Sequence, residues 1–142
     1  MKKIYILFDS SDLNKFIVFL DSFVKQNIQQ EEKRVIIGKT EDTFEILPYE
    51  NILYFEANNN NISCKTINNK EYRIKEKLYE LELRLDNREF FRINKSYIVN
   101  VLNITEIVPW FSGRLKLKFS ATKSELEVSR NYSKTFKSFL GL

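Results

Sequence analysis

The hydrophobic period changes once along this chain, near residue 34, and that change constrains the fold more than any composition figure. Before it, Leu13, Phe16, Ile17, Leu20, Phe23, Val24 and Ile28 recur at helical spacing, with Lys15, Asp21 and Lys25 outside the stripe. The spacing predicts a helix over about 12–27, opened by the turn and N-cap chemistry of Asp9, Ser10, Ser11 and Asp12. Residues 4–8 (IYILF) read as a short strand and residues 29–33 (QQEEK) as a polar linker. From Val35 onward the period is two. Candidate strands are 34–38, 43–47, 51–56, 61–67, 70–75, 97–101, 104–108, 113–119 and 124–129.

The run 113–119 is the clearest. Leu115, Leu117 and Phe119 face one way, and Arg114, Lys116 and Lys118 face the other. That is a half-buried strand with a basic outer row. Turn signals at 58–61, 68–69 and 112–113 separate the runs. A short helix is expected over 76–85, with Leu78, Leu81 and Leu85 on one side and Glu80 paired to Arg84 four residues on. A closing helix is capped by Ser129 or Asn131 and docked by Tyr132, Phe136, Phe139 and Leu140. The expectation is a mainly β protein: a strand–helix element over 1–33, and an antiparallel body with short helices over 34–142.

Composition excludes more than it suggests. With no His, the 142 residues cannot build a Ser-His-Asp triad, a Cys-His pair or a His-ligated zinc site. Cys64 stands alone and reads as a small buried hydrophobe. Three scattered glycines, Gly38, Gly113 and Gly141, make no phosphate-cradling loop. Carboxylate-only chemistry stays open, but nothing singles out a pair. No apolar run reaches the roughly 18 residues of a membrane span, and the first residues lack the order of a secretory signal. The expectation is a cytoplasmic protein that is not an enzyme and has no cofactor, no metal and no membrane partner.

Charge is unevenly placed. The whole chain carries +4, while residues 91–142 alone hold nine basic and three acidic side chains. A basic C-terminal third fits a polyanion partner and fits a solvated basic face equally well.

Three blocks, in this order, carry a family resemblance: ILYFEANNNNI (52–62), FFRINKSYIVNVLNITEI (90–107), and EVSRNYSKTFKSFLG (127–141), the last preceded by WFSGRLKLKF (110–119). With the Arg92, Ser96, Val99 and Asn100 core of the second block, they resemble the LytTR DNA-binding domain found at the C-terminus of many bacterial response regulators. The likeness runs from about Arg34 to Gly141. It implies a compact, mostly antiparallel β fold that binds double-stranded DNA through loops in successive major grooves, usually on paired repeats about one turn apart.

Three regions would then approach DNA: the loop after Glu56, the loop carrying Asn94 and Lys95, and the segment from Arg130. A guanidinium at a strand–helix junction offers the planar fork that matches guanine O6 and N7, so Arg130 is the strongest candidate base reader. Lys95 sits in a polar break and suits a guanine edge or a phosphate. In the Asn58–Asn61 run, Asn60 and Asn61 are placed to pair with adenine, and Asn59 with a phosphate, although any of the four amides could instead satisfy a turn. Ser96, Asn131 and Lys134 suit phosphate contacts. Many members have His where this chain has Asn94, so the site keeps a donor and an acceptor but loses a titratable group. Arg92 and Asn100 read as anchors of the loop and of a turn. Trp110 and Phe111 read as core or hairpin packing in preference to stacking on bases, because duplex bases are not exposed for it.

The first 33 residues look like the opening strand, acidic turn and first helix of a receiver, without space for the strands that bear a phosphoacceptor Asp, so no phosphotransfer is expected through this chain. So apolar an element is expected to pack on the body or on a second copy, which makes a homodimer a candidate. The alternative function is a protein-interaction module that pairs with a full-length regulator of the same family.

Overall fold

The computed structural model describes residues 10–142, and the side chains of residues 11–24 and 33–142. The strand expected at 4–8 lies outside the described residues. The chain divides into two compact units at Arg34 and Val35.

Among its described residues the first unit holds one helix, α1 (Ser10–Glu32). It runs five residues past the expected end and takes in most of the polar linker. Gln29, Gln30, Glu31 and Glu32 are straight-chain residues that lose little rotamer freedom in a helix, and no Gly or Pro stops them.

The second unit is antiparallel β with two helices. Seven strands form one sheet: β1 (Val35–Lys39), β2 (Phe44–Pro48), β3 (Ile52–Asn58), β4 (Asn61–Thr66), β5 (Glu71–Ile74), β6 (Phe90–Arg92) and β7 (Tyr97–Asn100). Their spatial order is β2-β1-β5-β4-β3-β7-β6. A three-stranded sheet follows, β8 (Ile104–Pro109), β9 (Leu115–Phe119) and β10 (Thr122–Val128), with β9 central. The helices are α2 (Leu78–Arg84) and α3 (Arg130–Leu140).

Strands β3 and β7 explain why the body has two cores. Ile52 and Phe55 of β3 and Ile98 of β7 enter one core, with Leu78 and Leu81 of α2. Leu53 and Tyr54 of β3 and Val99 of β7 enter the other, with Leu115, Leu117 and Phe119 of β9 and Phe136 of α3. The β3–β4 register slips between Ile52 and Tyr54, as a bulge does, so four consecutive residues of β3 are all buried. A strand covered on both faces reads as a continuous apolar run, as Ile52-Leu53-Tyr54-Phe55 does. Gly38 on β1 lets the strands close: a Cβ there would lie 2.7 Å from Leu47 Cδ1 and 2.8 Å from Tyr72 Cβ.

Several expectations are corrected. β6 was not expected as a strand; three residues carry too little pattern, and its pairing with β7 makes it one. Glu80 does not pair with Arg84. Its carboxylate accepts the Lys77 N–H at 3.1 Å at the start of α2, and Arg84 bonds Glu76 instead. Orphan N–H groups at a helix start compete well for a carboxylate. Of the core and hairpin packing expected for Trp110 and Phe111, only the hairpin packing is found: Phe111 is 70% exposed and Trp110 39%, their rings lie 5.0 Å apart, and Lys116 of the same hairpin lies 3.7 Å from the indole centre. The cores are already filled by β9 and α3, and the β8–β9 turn carries both rings outward. Of the two offered caps for α3, Ser129 holds the N-cap position, but its side chain makes no capping bond; its carbonyl accepts the N–H groups of Tyr132 and Ser133, each at 3.0 Å. Cys64 is fully buried, and burial pushes its thiol well above the usual range.

Candidate nucleic-acid interface

Three connections of the body converge, and each has its own local cause. The first is the β3–β4 turn. Pairing continues to Asn58 opposite Asn61, so only Asn59 and Asn60 reverse the chain. Asn59 adopts φ +56, a left-handed conformation that Asn tolerates better than most residues. All four Asn side chains are exposed and make no hydrogen bond among the described residues.

The second connection joins β6 to β7 through Ile93–Ser96. The Ile93 N–H donates to the Tyr97 carbonyl at 3.1 Å, and the Ile93 side chain is fully buried. Asn94 organises the rest. Its Oδ1 accepts the N–H groups of Ser96 (2.8 Å) and Tyr97 (3.0 Å), and its Nδ2 donates to the Glu127 carbonyl at 2.8 Å. Arg92 clamps the same loop. Its Nε donates to the Asn94 carbonyl at 2.9 Å and Nη2 to the Lys95 carbonyl, while Nη1 pairs with Glu82 at 3.1 Å. Lys95 is left as the exposed tip of a braced loop. Asn100, fully buried, closes the following turn by accepting the Leu102 N–H at 3.0 Å and donating to the Tyr49 carbonyl at 2.9 Å.

The third connection is the β10–α3 junction. Arg130 is the first residue of α3 and is exposed, and Lys134 follows one turn later on the same face.

Hydrogen bonds hold the three connections to one another. The Ala57 N–H donates to the Ser96 carbonyl at 2.8 Å, which ties the Asn turn to the Lys95 loop. The Ser129 N–H donates to the Ile93 carbonyl at 3.0 Å, and with the Asn94–Glu127 bond it ties that loop to the junction. Two shallow depressions result. One, of about 620 Å³, is lined by Asn94, Lys95, Ser96, Tyr97, Ser129, Asn131 and Tyr132. The other, of about 380 Å³, is lined by Ala57, Asn59, Asn60, Ile62, Lys77, Leu78, Tyr79, Arg92 and Lys95. Lys95 borders both. Asn61, Arg130 and Lys134 line neither and are exposed. Lys77 and Tyr79 were not singled out by sequence; nothing in their spacing marks them, and α2 alone brings them here.

The electrostatics sharpen the picture. The basic outer row of β9 is not free. Arg114 pairs with Glu127 at 3.1 Å, Lys116 with Glu125 at 3.8 Å, and Lys118 with Glu106 at 3.7 Å and Glu125 at 4.0 Å. By contrast, Lys95, Arg130 and Lys134 of the connections, and Lys77 beside them, have no ion pair among the described residues, as is also true of Lys65, Lys70, Arg73 and Lys75 on and beside β4 and β5. The carboxylates near the converging connections are engaged. Glu56 accepts the Tyr97 hydroxyl at 2.7 Å, Glu82 holds Arg92, and Glu127 holds Arg114. Burial, reinforced by the bond to Glu56, pushes the Tyr97 phenol up, so it stays a neutral donor. A braced, exposed surface with unpaired cations, on which Glu82 and Glu127 are each paired with an Arg, has the character of a polyanion site.

Comparison with known proteins agrees with that chemistry. The family model described as the LytTr DNA-binding domain matches residues 42–141. The chain belongs to the LytTR DNA-binding domain family. This is a DNA-binding regulator fold and not an enzyme family. A solved LytTr DNA-binding domain of a methyl-accepting/DNA response regulator from Bacillus cereus superposes with a TM-score of 0.73 at 28% identity, over 78% of this chain and 99% of that one. The sensory transduction protein LytT of Bacillus anthracis is 32% identical over 100 residues, which cover 70% of this chain and 40% of that protein. LytT of Bacillus cereus is 30% identical over 91% of this chain and 57% of its own length. The transcriptional regulatory protein LytR of Staphylococcus aureus is 31% identical over 72% of this chain and 41% of its own. The chain thus spans about half the length of these relatives. The sheet extends past the matched LytTR segment, because β1 precedes residue 42 yet pairs along its whole length with β2. No described helix is long and apolar enough to cross a membrane.

Proposed function

We propose that this chain is a transcription regulator that binds specific sites in double-stranded DNA through the three converging connections, placed in successive major grooves. The observation that carries the reading is the bracing of those connections by Ala57–Ser96, Ile93–Ser129 and Asn94–Glu127 hydrogen bonds. Preorganised side chains lose less freedom on binding. In this reading Arg130 and Lys95 meet base edges, one amide among Asn59, Asn60 and Asn61 pairs with adenine, and Ser96, Asn131 and Lys134 hold phosphates. Asn94, whose amide is engaged inside the loop, acts by presenting Lys95. Affinity comes largely from counterion release by the unpaired cations, and DNA bending adds specificity at untouched positions. Relatives named for transcriptional regulation and sensory transduction support the regulatory role. Binding to paired repeats, with two copies side by side, fits the family.

Enrichment of sites from random duplexes tests the reading. On the enriched site, Arg130→Ala should cost roughly 1–3 kcal/mol and relax the choice of base at one position. Full affinity and unchanged preference would remove Arg130 from the interface.

A second reading is a module that pairs with another regulator. It is favoured by the exposed Leu13, Ile17, Leu20 and Val24 of α1, spaced four, three and four residues apart as in a helix-pairing seam. Co-sedimentation of the full chain, and of an Ile17→Asp/Leu20→Asp variant, with a full-length regulator of the family decides this. Association of neither, or of both equally, would remove the seam.

A further inference from the structure

The β8–β9 turn carries two aromatic rings that neither core accounts for. Trp110 and Phe111 stack edge to face with centroids 5.0 Å apart, and Phe111 is 70% exposed. The turn is rigidly made. Trp110 N–H donates to the Arg114 carbonyl at 2.9 Å, Arg114 Nε donates to the Phe111 carbonyl at 3.0 Å, and Arg114 is itself held by Glu127. Ser112 and Gly113 adopt φ +57 and +76 in succession, which fixes the tip. The Lys116 ammonium lies 3.7 Å from the Trp110 ring centre and so occupies one face of the indole. Phe111 is therefore the ring left to make a contact.

Its neighbour is Arg130. A Cβ at Gly113 would sit 3.8 Å from Arg130 Cγ, so the stem of that side chain passes beside the turn. An apolar tip next to an unpaired guanidinium suits few surfaces. A dry protein pocket that took the ring would bury the charge beside it, at a high desolvation cost. The floor of a DNA major groove offers both chemistries at once: guanine O6 and N7 for the guanidinium, and the C5-methyl of thymine for an apolar group. A wedge between base pairs is a minor-groove device and would carry the Arg130 fork away from the edges it matches.

We propose that Phe111 is an apolar base reader whose ring meets the C5-methyl of a thymine within one or two steps of the base pair that Arg130 contacts. The proposal rests on the DNA-binding reading above and adds a specificity-determining residue to it.

The probe is the duplex that the full wild-type chain enriches from a random pool, with each thymine near the Arg130-dependent position replaced in turn by deoxyuridine. That exchange removes only the methyl group. One replacement should weaken wild-type binding about fourfold, the worth of one buried methyl-sized group. The same replacement should leave Phe111→Ala unaffected, and Phe111→Leu should keep part of the discrimination. Phe111 is exposed, so the thermal unfolding of both variants should match the wild type. Wild-type indifference to every replacement overturns the proposal, as does a loss that persists undiminished in Phe111→Ala. In either case Arg130→Ala still reports on DNA binding. A wild-type chain that enriches no duplex removes the DNA reading itself, and this contact with it.

Discussion

Replacing Asn94 with Ala should damage both the fold and the DNA site, and the size of the two effects can be worked from its bonds. The amide makes three hydrogen bonds, to the Ser96 and Tyr97 N–H groups and to the Glu127 carbonyl, all between 2.8 and 3.0 Å. A typical internal hydrogen bond contributes about 1 kcal/mol net, and a group orphaned by truncation costs more. Asn94 is half-buried, so water can reach part of what is exposed. Together these give a destabilisation of about 2–3 kcal/mol. With a urea m-value on the order of 1–3 kcal/mol/M, the unfolding midpoint should fall by roughly 1 M. The DNA effect is separable. Asn94→Ala keeps the Lys95 charge but loosens the loop that presents it, so affinity for an enriched site should drop severalfold while the slope of log affinity against log salt stays the same. A stability change under about 0.5 kcal/mol would refute the claim that this amide organises the loop.

Other outcomes follow from the charge and hydroxyl networks. Lys134→Ala should lower the salt slope by about one, whereas Lys118→Ala, already paired with Glu106 and Glu125, should leave it unchanged; equal changes in filter-binding titrations would contradict the pairing argument. The Tyr72 hydroxyl donates to Glu45 at 2.6 Å, and that bond, with burial, raises its ionisation from 10.0 to about 12. A folded-state pKa raised in this way favours the neutral phenol. The stability it contributes is therefore complete below pH 10 and is lost as pH climbs toward 12. Urea midpoints measured across that window should fall more steeply for the wild type than for Tyr72→Phe, and parallel curves would sink the assignment.

Much of the body was legible because its strands obey simple periods. Alternation along 115–119 announces a half-covered strand, and the structure has it; the strand expected at 51–56 is also there, but that it is covered on both faces shows only in the fold. The misses have physical reasons. β6 is three residues long and becomes a strand only because β7 pairs with it. Glu80 had two possible partners, and sequence spacing does not say that the Lys77 N–H outcompetes Arg84. Trp110 and Phe111 are large and apolar, which argues for burial, yet the cores close without them. For the site, the family likeness brought 59–61, 94–96 and 130–134 into one list. What no spacing shows is how they are joined: an Ala57 amide on a Ser96 carbonyl, and an Asn94 side chain on the Glu127 backbone. The pairing of Arg114, Lys116 and Lys118 was equally invisible, because their acidic partners lie on the neighbouring strands β8 and β10.

DNA binding as proposed requires that one surface be the DNA face, and amide NMR of the full chain titrated with its enriched duplex tests this most directly. The largest shifts should fall on residues 57–61, 93–97 and 129–134, joined by 110–113 where Phe111 meets a thymine, with α2 beyond its first turn and the β1–β2 hairpin unmoved. Shifts concentrated on β1 and β2, with the Lys95 loop and the start of α3 silent, would contradict it.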